Sequence, residues 1–66
     1  MKFDIGQKVV IVDHKRFFED IAKGKYYFAE IIMTAPCNID GKNGNWYRAR
    51  TKEGLVATTN DVNLSN

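Results

Sequence analysis

The chain has 66 residues, ten basic against eight acidic, for a net charge of +2. A domain this small buries only about 60% of the surface its unfolded chain exposes, which leaves little core from which to wall a catalytic cavity and argues for a binding module rather than an enzyme. The low charge excludes the footprint of a dedicated DNA coat or a polybasic membrane binder, and a lone cysteine, Cys37, excludes the internal disulfides of small secreted domains. No apolar run approaches a membrane span, and Met1-Lys2-Phe3-Asp4 leads into Gly6-Gln7-Lys8 rather than a signal-type segment. A soluble, ordered, cytoplasmic domain is expected, with aromatic and β-branched residues to fill its core.

Residues 8–13, Lys-Val-Val-Ile-Val-Asp, are a continuous β-branched run after Gly6 and predict a first strand, Val9 and Ile11 on one face and Val10 and Val12 on the other. The period then changes. Phe17, Phe18, Ile21 and Ala22 fall on one helical stripe, with Asp13 as a candidate cap and Gly24 as a candidate stop. Residues 13–24 therefore predict a short helix, with a structured irregular loop as the alternative. At about ten residues such a helix depends on the packing of its phenylalanines.

Residues 25–34 return to strand composition, with Tyr27, Ala29, Ile31 and Met33 on one face and Glu30 marking the wetter one. That wetter face also carries Tyr26, Phe28 and Ile32, more apolar surface than solvent alone asks for. Residues 35–44 hold Pro36, Asp40-Gly41 and Asn43-Gly44, the densest turn signal in the chain, and read as a loop. Residues 45–56 read as two strands folded about one tight turn at Lys52-Glu53-Gly54, with Tyr47, Ala49 and Thr51 alternating against Trp46, Arg48 and Arg50. Asn60-Asp61 makes a final turn, and Val62 and Leu64 finish a last short strand. The inward positions predicted from these faces are Val9, Ile11, Tyr27, Ala29, Ile31, Tyr47, Ala49, Val56 and Val62.

Five short strands with one long first connection describe a small, strongly bent β-barrel, whose closure spares the sheet most of its edges. In order and loop lengths it resembles the Src homology 3 barrel. Trp46-Tyr47-Arg48-Ala49-Arg50 resembles that family's third-strand pattern of paired aromatics, a basic residue and a small core alanine, and Gly54-Leu55-Val56 resembles its fourth-strand signature. The resemblance implies a mainly β chain, a single SH3-like barrel over residues 1–66. Residues 13–25 take the place of the ligand-facing first loop, whether as the short helix or as the irregular loop, and residues 35–44 that of the second. Phe3 to Val9, as Phe-x-x-Gly-x-x-Val, and a closing Asp61-Val62-x-Leu64 are also similar to bacterial SH3-like and Tudor- or KOW-type barrels, which bind proteins or nucleic acids. The chain departs from the family's proline-peptide motif. Val10-Ile11-Val12-Asp13 stands where a tyrosine-rich motif would, Ala57 where a proline would, and Asn60-Asp61 near a final tyrosine, so the slots for a polyproline helix are largely missing.

Catalytic signals are thin. Cys37 and His14 lack a third group to orient the ring, and one cysteine with one histidine lacks the paired spacings of a zinc site, so no catalytic residue, metal or cofactor is expected. The strongest candidate surface combines the π-platform of Trp46 with the cations Arg48, Arg50 and Lys52. Ordinary solubilising charges and a tryptophan covering a barrel end are the bland reading of the same residues. Phe17 and Phe18 pose a similar choice. If both are core, the first loop is a lid over the barrel; if one is exposed, it joins Tyr26 and Phe28 as an interaction patch. The expected function is a non-enzymatic protein-binding module, adaptor or regulator, using Trp46, Tyr26, Phe28, Phe17, Arg48, Arg50 and Lys52. The alternative is a nucleic-acid-binding barrel using Trp46 with the three cations. No membrane partner is expected, and the chain is expected to be a monomer or a weak homodimer.

Overall fold

The computed structural model describes residues 2–66. Strand β1 (Lys8–Ile11) is followed by helix α1 (Phe18–Ala22) and strands β2 (Tyr27–Ile39), β3 (Lys42–Thr51) and β4 (Val56–Asn60), then by a 3-10 turn (Asp61–Asn63) and strand β5 (Leu64–Ser65). The chain is mainly β, as the alternating segments predict. All five strands make one antiparallel sheet in the order β4-β3-β2-β1-β5. Among the described residues no ladder joins β4 to β5, which stand at opposite ends of that order.

Alternation explains which face is buried. Val9, Ile11, Tyr27, Ala29, Ile31, Tyr47 and Ala49 all point into the core as predicted. Phe3 covers one end of it, giving its N–H to the Tyr47 hydroxyl at 3.0 Å and meeting that ring edge to face at 5.5 Å. Phe17 covers another part, stacked on Tyr27 at 4.3 Å. The Tyr27 hydroxyl in turn donates to Asp20 at 2.6 Å, fastening the first loop to the sheet.

Four expectations are corrected. Residues 35–44 are not a loop but the tip of a long hairpin. Asp40 and Gly41 both take positive φ, 50° and 78°, as a two-residue type I′ turn requires, and Asn38 Oδ1 accepts the Gly41 N–H at 2.8 Å. The turn closes Ile39 on Lys42. Alternating outward from that hydrogen-bonded pair, Pro36 and Asn45 form a pair whose N–H groups face away from each other, so proline removes no ladder bond.

Met33 is the second correction. Between Ile31 and Met33 the register against β3 slips, leaving Ile32 as an extra residue. Beyond this bulge the faces of β2 exchange, and Met33 is 43% exposed rather than inward.

Val56 and Val62 are the third. The turn at residues 52–54 sets Arg50 opposite Val56 and Ala49 opposite Ala57, so Ala57 and Thr59 point inward and Val56 lies outside beside Arg50. Val62 falls in the 3-10 turn, not in a strand, and Leu64 takes the core place.

The helix is the fourth. It has five residues, begins after Phe17, and has no side-chain capping bond, so Asp13 is not its cap. So short a helix cannot present the expected four-residue stripe. Phe17 is core, whereas Phe18 is exposed.

Candidate functional site

Burial of Tyr47, Ala49 and Thr51 on one face of β3 fixes Trp46, Arg48 and Arg50 on the other. Trp46 and Lys52 stand roughly 20 Å apart along an extended chain of this length. The candidate residues therefore divide between two surfaces.

At one end Trp46 is half-buried, paired with Ala35 on β2 and Asn60 on β4. A groove of about 450 Å³ passes over it, bounded by His14 and Lys15 of the first loop, Cys37 and Ile39 of β2, Thr58, Thr59 and Asn60 of β4, and Asn63. Gly44 shapes this wall. A Cβ there would stand 2.8 Å from Ile39 Cδ1, so the missing side chain lets Ile39 fold down onto the strand.

Side chains of the first loop hold the groove's other wall against the edge of β4. Arg16 donates from its guanidinium to the Val56 carbonyl at 3.1 Å. His14 Nδ1 accepts the Arg16 backbone N–H at 3.1 Å, which leaves Nε2 to carry the proton given to the Thr58 carbonyl at 3.0 Å. Two edge carbonyls are thus satisfied by side chains instead of a neighbouring strand. At the rim, Asn63 donates to Thr59 Oγ1 at 2.7 Å and Asn60 Oδ1 accepts the Val62 N–H at 3.2 Å. Cys37 and His14 share the groove, but both ring nitrogens are engaged elsewhere and neither serves as a base for the thiol.

At the other end Phe28 is 71% exposed. It lines a cleft of about 390 Å³ with Lys8, Glu30, Arg50 and Lys52. Strand register assembles this set from three strands, Lys8 opposite Glu30 and Glu30 opposite Arg50. The Lys8 ammonium donates to the Glu30 carboxylate. That bond and the Lys8 charge, reinforced by Arg50, hold the Glu30 carboxyl below its ordinary range.

Of the residues expected from sequence, Phe28, Arg50 and Lys52 come together in the cleft, with exposed Arg48 between cleft and groove and exposed Tyr26 just before β2. Trp46 belongs to the groove. Phe17 is buried in the core and offers no surface; the exposed member of the pair, Phe18, lies among loop charges that include Asp13, Arg16 and Glu19. Lys8, Glu30, His14, Ile39 and Asn63 were not among the expected site residues. Lys8 and Glu30 meet only through the β1–β2 register, and His14 reaches its place through a loop with no sequence period.

Among the described residues no group of three or more His, Cys, Asp or Glu stands together as a metal set, and no helix is long and apolar enough to cross a membrane. No protein-family model matches the chain, and neither the curated proteins nor the solved structures give a match.

Proposed function

We propose that the chain is a non-enzymatic binding module of the Src homology 3-like type, which holds an extended segment of a partner protein in the groove floored by Trp46. Support for this reading comes from the five-stranded antiparallel sheet and the long first loop, which His14 and Arg16 strap to the β4 edge. The observation that carries the binding reading is the half-buried indole lining an open groove together with the polar side chains of Asn60, Asn63 and Thr58. A tryptophan so placed presents a large rigid apolar surface to a partner side chain, while amides and hydroxyls around it can pair with the partner's backbone. Ile39 adds apolar lining, and exposed Arg48, next to Trp46 on the same face of β3, favours an acidic partner residue.

The test is capture from nuclease-treated lysate on the immobilised chain, with Trp46→Ala and Arg48→Ala as comparators. Trp46→Ala abolishes recovery of the partner that the native chain retains. Arg48→Ala reduces it less, because a rim charge acts mainly on association rate and salt dependence. Equal recovery by native chain and Trp46→Ala rejects the groove as the site.

A further inference from the structure

The cleft at the far end of β3 is a different surface with different chemistry. Phe28, the one large apolar side chain among the described residues that line it, is 71% exposed and lies among Lys8, Arg50 and Lys52. The one carboxylate among the described residues lining the cleft, Glu30, is bound by Lys8 and lies in the field of Arg50, so its charge is already answered. Arg50, Lys52 and the neighbouring Arg48 are left with a surplus of positive charge. Arg48 and Arg50, alternate residues on one face of β3, stand about 7 Å apart, a step close to the phosphate repeat of an extended single strand, and Lys52 follows in the turn just past the strand.

We propose that this cleft binds single-stranded nucleic acid, with Phe28 stacking on a base while Arg50 and Lys52 in the cleft and Arg48 beside it meet the phosphates. Charge alone would also suit an acidic peptide. A carboxylate side chain, however, has no flat apolar surface to lay on the phenyl ring, whereas every base has one. A duplex is disfavoured for the same reason, since its bases are already stacked and its backbone would meet the cations without using Phe28. The cleft and the Trp46 groove meet at Arg48, which stands between them on the outer face of β3, so a nucleic-acid strand and a protein segment would share that one side chain.

The experiment is fluorescence anisotropy of labelled oligo-dT and oligo-U with the full chain, titrated at several salt concentrations. Saturable binding is expected, with log K falling against log salt at a slope near −2, the value for about three phosphates on a single strand. Phe28→Ala weakens binding by about tenfold or more and Phe28→Tyr restores it, as loss and return of one stacked base require. Arg50→Gln flattens the salt slope, and Trp46→Ala changes the affinity less than about twofold. Phe28 and Arg50 are both exposed, so thermal midpoints report that these variants fold. Absence of saturable binding at low salt overturns the proposal. So does an affinity indifferent to Phe28→Ala, or competition by poly-glutamate as effective as by unlabelled oligo-dT, which would mark a surface for acidic proteins.

Discussion

Trp46 and Phe28 occupy opposite ends of one outer face, yet the first is half-buried in a groove and the second stands free in a cleft. The groove is made by parts remote in sequence, a loop strapped to β4 and an isoleucine folded over Gly44. The cleft is made by ladder register alone, through Lys8, Glu30 and Arg50 on adjacent strands. The difference is one of support: the groove depends on the loop remaining in place, and the cleft on the sheet remaining in register.

The largest way to break this contrast is Phe17→Ala. It removes the ring that stacks on Tyr27 and anchors the loop, and should cost about 3–5 kcal/mol, most of the margin a domain this small has. Its denaturant midpoint should fall furthest of the variants considered. A midpoint within error of the native chain would mean that the loop is not held by this stack. Next comes Ala49→Leu, midway between the two ends. Ala49 is fully buried opposite Ala57, and overpacking there should cost about 1–3 kcal/mol. An unchanged midpoint would put the outer face of β3 inside and invalidate both surfaces together.

Arg16→Ala removes the guanidinium bond to the Val56 carbonyl and should cost only about 0.5–1.5 kcal/mol. It sharpens the contrast because the effect is local. Hydrogen exchange should rise through the first loop, with β1 and the start of β2 unaffected. The smallest effect concerns Glu30. Its folded-state carboxyl is held low by Lys8, so the stabilisation this pair gives is present above the ordinary carboxylate range and is lost as pH falls through the depressed value. Both groups are exposed, so the consequence for stability is slight. Lys8→Met should move the Glu30 titration upward in NMR; an unmoved titration would show that the pair does not form in solution.

Periodicity made the inward faces of β1, β3 and the first half of β2 legible, because each is a clean alternation with one buried side. It failed where a single residue changes the count. Ile32 cannot be recognised as a bulge within Ile31-Ile32-Met33, since all three residues suit either face, and the exchange it causes carries Met33 outward. Val56 failed for a related reason: turn geometry, not hydrophobicity, chooses between Val56 and Ala57. The Asp40-Gly41 signal was visible, but dense turn residues around it masked strands that run up to the turn on both sides. Trp46, Arg48 and Arg50 were legible as an outward set. Their division between two surfaces was not, because Lys8, His14 and Ile39 reach them through register and loop packing.

The most direct test of the account is the stability of Trp46→Ala by chemical denaturation. If the indole floors a binding groove, the variant folds and loses no more than about 1–2 kcal/mol, less than a core position exacts. A loss of about 3–5 kcal/mol, the range for truncating a buried aromatic ring, or failure to fold, would assign Trp46 to the domain's own packing and leave the proposed groove without its floor.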